Sequence, residues 1–289
     1  MNKSKSLFWL SSYPKSGNTW FRIFLANLLT LLKENRSINL NDVDYLINDH
    51  ITTKKTWVNE MCGFDTAHLT DDELDALLPE LHVQYREKQT NVTYHKVHRA
   101  YTYINDHQPL IPLDQYVGAI HFIRNPLDVA ISLANHFEFS IDDAISMMGD
   151  KSFALYYYPL RQLLLSWSMH VESWFQLKEN NILFLRYEDM LMKPLETFSK
   201  AAKFLQLDVS SNLIEQAISH SSFNKLKKFE DEVGFLDKPP KLKHFFRKGI
   251  AGDWKATLTE NQIQQIIKDH SEVMRKFGYL NKYNEPIVG

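Results

Sequence analysis

S-S-Y-P-K-S-G-N-T-W, from Ser11 to Trp20, joins a short apolar run, Leu7 to Leu10, to a segment where Trp20, Ile23, Phe24, Asn27, Leu28 and Leu31 recur at helical spacing. The run reads as a buried strand and the segment as a helix. A strand that feeds a helix through a short loop leaves the first N–H groups of that helix at the loop, without partners inside the helix. Those donors, the positive end of the helix dipole and the Lys15 ammonium together form a site for a phosphate or a phosphate-like group. The stretch is not the nucleoside triphosphate signature G-x-x-x-x-G-K-[ST], because its only lysine precedes its only glycine. Taken alone, Pro14, Ser16, Gly17 and Asn18 also fit plain turn chemistry around a solvated Lys15.

With 289 residues, 44% of them hydrophobic and 13% aromatic, the chain can build one large α/β domain over residues 1–289. A net charge of -2 argues against a general nucleic-acid binder, so any grip on phosphates must be local. A single cysteine, Cys62, excludes an intrachain disulfide framework and suits a reducing compartment. No apolar run approaches the ~18 residues of a membrane span, and Pro14, Lys15 and Arg22 interrupt the N-terminal apolar tract. A cytoplasmic protein with no membrane partner is expected. In that setting the triplets N-R-S at Asn35 and N-V-T at Asn91 carry no meaning for glycosylation.

Strand-like and helix-like segments then alternate. Val92 to Val97, Gln115 to Ile123 and Asn181 to Tyr187 read as strands; Leu127 to Phe137, Leu155 to Lys178, Leu195 to Leu207 and Thr259 to Phe277 read as helices. Thr70 with Glu73 and Thr259 with Gln262 form capping boxes that mark two helix starts. Strands separated by helices predict a central parallel sheet flanked by helices, with ligands gathering at the carboxyl ends of the strands. Lys225 to Arg247, lysine-rich, with little periodicity and holding Pro239-Pro240, reads as a surface lid or a solvated loop.

Two further stretches repeat the logic of the first. In H-F-I-R-N-P-L-D-V-A-I-S, Arg124 stands at a strand end, Pro126 suits a first helical turn, and Ser132 follows on the helix. Its guanidinium can grip a phosphate bidentately; pairing with Asp128 is the other reading. In R-K-G-I-A-G-D-W-K, Arg247 and Lys248 precede Gly249 at a turn whose backbone N–H groups can cradle a second phosphate. Two separate grips fit a ligand with phosphates at both ends of a nucleoside.

Y-P-K-S-G-N-T-W, R-N-P-x-D-V-A-x-S and R-K-G-x-x-G-D-W-K, in this order, resemble the soluble sulfotransferases that use 3′-phosphoadenosine 5′-phosphosulfate, from Leu7 to about Tyr279. A bacterial member acting on a small molecule such as a natural product is expected. The resemblance implies a P-loop-like turn in which Lys15, Ser16, Gly17, Asn18, Thr19 and Trp20 hold the 5′ end, with the Trp20 ring near the adenine. It implies that Arg124, Ser132, Arg247, Lys248 and Gly249 hold the 3′-phosphate, and that Tyr187, Ser221, Ser222 and Phe223 contact the adenosine.

The family has lysine, a small residue and histidine at a strand end, matched here by Lys96, Val97 and His98. Strand alternation puts His95, Val97 and Arg99 on one face and Lys96 and His98 on the other, which by itself does not choose between the histidines. The family spacing selects His98 as general base, a role suited to a side chain that titrates near neutral pH. Lys15 is assigned to the charge on the leaving phosphate and Lys96 to the sulfuryl oxygens, and Ser132 to a further contact with Lys15 when no acceptor is bound. H-K-V-H lacks a zinc-ligand spacing, so no metal is expected.

The dimer motif of animal relatives is degenerate, with Glu260 and Gln264 where it has valine and glutamate, which leaves the oligomeric state open. Acceptor-site insertions are expected at about 38–90 and 225–246, with Phe235, Phe245 and Phe246 closing over an acceptor. Ile141 to Tyr158 adds to that region, and Tyr101, Tyr103, Phe137, Phe139, Tyr156 and Tyr157 are candidate lining aromatics, although such residues are more often core. The competing readings are a nucleotide kinase with a degenerate loop and a non-catalytic nucleotide-binding module.

Overall fold

The computed structural model describes residues 7–288 apart from 35, 39, 44–46, 49, 105–106, 114–115, 157–158, 178–180, 237 and 239–241. Leu7–Ser12 forms strand β1, buried along its whole length, and Asn18–Glu34 forms helix α1. A two-residue strand β2, Ile47–Asn48, and strand β3, Thr93–Val97, follow, and the strands Gly118–Ile123 and Ile182–Arg186 complete a five-stranded sheet. Its spatial order is β2, β3, β1, Gly118–Ile123, Ile182–Arg186, and every pair is parallel.

The register aligns the carboxyl ends. Ser11 stands opposite Val97, Ser12 opposite Phe122 and Ile123 opposite Arg186. The residues just beyond, Tyr13 to Lys15, His98, Arg124 and Tyr187, therefore emerge together along one edge. Phe8 and Leu10 pack with Phe21, Phe24 and Phe198 in one apolar cluster, while Leu7 and Trp9 pack with Val97 and Trp174 in another. Alternation along β1 thus buries both faces, as a parallel sheet between helical layers requires.

Three segments depart from the sequence reading. The helix predicted over Leu155 to Lys178 is only Trp167–Phe175 within the described residues, and Ala154–Leu155 pairs antiparallel with Gln162–Leu163 before it. Pro159 lies between those strands, Leu165 takes a left-handed φ of 61°, and the Ser166 hydroxyl caps the true helix start; Lys178 lies outside the described residues. Lys225 to Arg247 is not a loop throughout: Phe223–Val233 is a helix that buries Leu226 and Glu230. The Glu230 carboxylate accepts the N–H groups of Phe245 and Phe246 at 2.6 and 2.9 Å, so the inward position that would have completed an apolar stripe is a charged residue. Phe235 and Phe246 are buried in the same cluster as Phe8 and Leu10, and Pro239 and Pro240 lie outside the described residues. The strand predicted from Gln115 begins at Gly118, with Gln115 outside the described residues.

Candidate active site

β1 ends at Ser12, and the N–H of Phe21 reaching the carbonyl of Gly17 at 3.0 Å closes the first turn of α1. The N–H groups of Asn18, Thr19 and Trp20 precede that bond and face the loop. Lys15 and Gly17 both adopt left-handed φ, 70° and 96°. For Gly17 the reason is contact as well, since a Cβ there would lie 2.8 Å from the Tyr187 ring and 2.9 Å from the Met190 methyl. Asn18 Nδ2 donates to the Leu10 carbonyl at 2.9 Å and ties the helix start to β1. Lys15 Nζ lies 3.2 Å from His136 Nδ1 and 4.6 Å from the centre of the Phe245 ring. Ser16 is buried, and its hydroxyl has no hydrogen-bond partner among the described residues.

Arg124 leaves the end of Gly118–Ile123 and crosses the Tyr187 ring at 4.3 Å. Its two terminal nitrogens donate to the carbonyls of Lys15, at 3.1 Å, and Ile250, at 3.2 Å, so it clamps the loop to the C-terminal turn. Asp128, on the helix Pro126–Phe137, accepts from the N–H groups of Gly252 and Trp254 at 2.7 and 3.0 Å. Burial raises its pKa against the pull of Arg124 and of those two N–H groups. Asp253 accepts from Arg247 at 2.6 Å and Lys248 at 2.5 Å, and these bonds outweigh burial and hold its pKa low. Gly249, at φ 64°, fits against Phe223, whose ring an added Cβ would meet at 2.2 Å.

His98 follows the last residue of β3. Its Nδ1 lies 2.9 Å from the Ser12 carbonyl oxygen and 3.2 Å from the Ser12 hydroxyl. A carbonyl only accepts, so Nδ1 carries the proton and Nε2 the lone pair. Behind it, His170 donates from Nε2 to the His98 carbonyl at 3.0 Å; burial pushes the His170 pKa down to about 4, which keeps that ring neutral. His95 points the other way, buried beside the rings of Trp9 and Tyr85.

One cavity of about 1090 Å³ runs along this edge. Lys15, Gly17, Asn18, Thr19 and Trp20 line it from the loop, Lys96 and His98 from β3, and Arg124, Ser132, Tyr187 and Phe223 from the middle. Arg247, Lys248 and Gly249 line it from the C-terminal turn. Ser16, Ser221 and Ser222 are not on its wall: the Ser221 hydroxyl donates back to the Ala217 carbonyl, and its own carbonyl accepts from Trp20 Nε1 at 2.8 Å. Of the candidate aromatics only Phe137 lines the cavity among the described residues. Tyr101 packs on Trp174, Tyr103, Phe139 and Tyr156 are exposed, and Tyr157 lies outside the described residues. His136, Ser12 and the Thr53 to Thr56 stretch were not singled out by sequence reasoning. His136 sits one turn past Ser132, a spacing that could have flagged it.

A family model described as sulfotransferase domain matches residues 5–278. The chain belongs to the sulfotransferase family. This sulfotransferase-family chain is 27% identical over 260 residues to sulfotransferase 1A1 of Canis lupus familiaris, a match spanning 81% of this chain and 84% of that one. It is similar in fold to mouse sulfotransferase SULT7A1 complexed with PAP, with a TM-score of 0.59 and 21% identity over 94% of this chain and 85% of that one. A retinol dehydratase complexed with androsterone and the inactive cofactor PAP gives a TM-score of 0.64 and 20% identity, covering 93% and 80%. Among the described residues of this family member no helix is long and apolar enough to cross a membrane, and no three His, Cys, Asp or Glu side chains form a metal-ligand set.

Proposed function

We propose that the chain transfers a sulfuryl group from 3′-phosphoadenosine 5′-phosphosulfate to a hydroxyl, or less readily an amine, of a small-molecule acceptor in the cytoplasm. The observation that carries this reading is that two cationic grips and an imidazole of fixed tautomer line one cavity. The residues present fit the nucleotide: the N–H groups at the start of α1 have no partners inside the helix, and Arg124, Arg247 and Lys248 line the same cavity, the last two held in place by Asp253.

When bound, the donor supplies the sulfuryl group and a phosphate leaving group. Lys15, at the loop, meets the charge that grows on the leaving oxygen, which weakens the barrier because the charge is largest in the transition state. Its bond to His136 holds the ammonium at the cavity wall beforehand. His98 accepts the acceptor's proton at Nε2 while Nδ1 stays bonded to Ser12, so the ring becomes a cation without turning. Lys96, largely buried, brings a second positive charge to the same wall. Trp20, Tyr187 and Phe223 supply apolar faces for the adenine. The kinase reading has only the nucleotide-like loop in its favour, and the silent-module reading leaves the Ser12, His98 and His170 arrangement without a purpose.

The test follows a radiolabelled sulfuryl group from the donor into a panel of phenols, alcohols and amines. Label in an acceptor with wild-type protein, lost with His98→Ala, supports the reading. Absence of transfer to every acceptor, or phosphoryl transfer from ATP instead, overturns it.

A further inference from the structure

The charges on the cavity wall exceed what the donor nucleotide needs. The chain as a whole carries a net charge of -2, yet among the described residues the cavity is lined by eight lysine or arginine side chains and only two carboxylates, Asp128 and Asp253. Both carboxylates are committed, Asp128 to the N–H groups of Gly252 and Trp254 and Asp253 to Arg247 and Lys248. Five of the cations already have a part in the transfer reading. Of the remaining three, Lys238 lies 3.9 Å from the buried Glu230 carboxylate and is balanced by it.

Lys54 and Lys55 are different. They line the cavity with no carboxylate partner among the described residues. They begin the helix Lys55–Cys62, whose first turn holds no acidic residue and no side-chain cap. Their position is set by the acceptor end of the sheet: Thr52 donates from Oγ1 to the Lys96 carbonyl at 3.0 Å, and Gln162 donates to the Thr52 carbonyl at 2.6 Å. The segment that carries the pair is therefore tied to β3 at Lys96, and the pair lines the same cavity as Lys96 and His98 from a different element than Arg124, Arg247 and Lys248. Leu155 and Pro159 add apolar wall.

We propose that the acceptor is a hydroxylated organic acid: an apolar body carries the hydroxyl to His98 while a carboxylate is received by Lys54 and Lys55. This rests on the sulfuryl-transfer reading and names its substrate class. Two lysines at a partly exposed wall favour an anion modestly, about three- to tenfold in affinity at low salt.

The experiment uses protein saturated with 3′-phosphoadenosine 5′-phosphate (PAP) and titrates, by calorimetry, a panel of aromatic and aliphatic hydroxy acids, each paired with its neutral primary amide. Acids are expected to bind about three- to tenfold more tightly than their amides, with the gap closing at high salt. In the double variant Lys54→Gln, Lys55→Gln the gap falls below about twofold while PAP affinity holds within about twofold. Amides binding as well as acids, or no acid registering, overturns the proposal, as does a double variant that loses PAP while keeping the preference for acids. Wild-type protein that does not bind PAP at all overturns the transfer reading and this proposal with it, which separates the two failures.

Discussion

Replacing Gly249 with alanine tests the C-terminal cradle through its shape alone, with no change of charge. The Gly249 backbone sits at φ 64°, and an added Cβ would come 2.2 Å from one carbon of the Phe223 ring and 2.7 Å from two more. Carbon atoms in ordinary contact stand about 3.5 to 4.0 Å apart, so ring and turn must separate by more than about 1 Å. Phe223 is the first residue of a helix and packs against the main apolar cluster, which limits its retreat. Left-handed backbone costs alanine about 1 to 2 kcal/mol and overpacking adds about 1 to 3 kcal/mol. Borne by the cradle, a total of about 2 to 5 kcal/mol raises the PAP dissociation constant at least about thirtyfold. Calorimetric titration of PAP reads this directly. Gly63→Ala is the control: φ there is 77°, and nothing lies within 4 Å of an added Cβ. It should lower global stability by about 1 to 2 kcal/mol and leave PAP affinity unchanged. A Gly249→Ala protein that binds PAP within about threefold of wild type would refute the account of this turn.

His98→Ala should retain PAP affinity within about twofold while turnover falls by about 10² or more, and Lys15→Ala should damage both; steady-state kinetics with PAP titration separates these outcomes. The amides of Phe245 and Phe246, bound by Glu230, should exchange slowly with solvent in the ligand-free protein and quickly in Glu230→Gln; fast exchange in wild type would contradict this anchoring. His82, His170 and His270 are buried with pKa values pushed down to about 4, chiefly by burial. Below the ordinary histidine pKa the unfolded chain binds protons that the folded chain does not, so stability is full above about pH 6.5 and is lost as pH falls toward about 4. Unfolding free energies from urea titrations should be several kcal/mol, on the order of 1 to 2 per histidine, lower at pH 5 than at pH 7; equal values would contradict the burial of these rings.

What could be read from the sequence was local. The loop from Ser11 to Trp20 announces itself because strand, turn residues and helix are contiguous, and Arg124 with Pro126 does the same. The two histidines near the end of β3 show the limit: alternation assigns them to opposite faces, but which face meets the cavity depends on Trp9 and Tyr85, which are distant in sequence. Family spacing supplied the choice. Periodicity failed where a single residue broke the rule it relies on: Pro159 amid an apolar run, and the buried charge of Glu230 on a helix otherwise patterned for burial. Lys54 and Lys55 were invisible because two hydrogen bonds at Thr52, to partners far along the chain, place them on the cavity wall. His136 was within reach, one turn beyond Ser132, but only the fold brings it to Lys15.

In the proposed reaction this cavity recognises a nucleoside carrying phosphate at both its 3′ and 5′ positions. Thermal unfolding with PAP, 5′-AMP, ADP and ATP at equal concentration tests it without knowledge of the acceptor. A ligand at 100 times its dissociation constant adds about 2.7 kcal/mol of stability, so PAP should raise the melting temperature by several degrees, well beyond the other three. Equal shifts for PAP and 5′-AMP, or a larger shift with ATP, would contradict the assignment of Arg124, Arg247 and Lys248 to a 3′-phosphate.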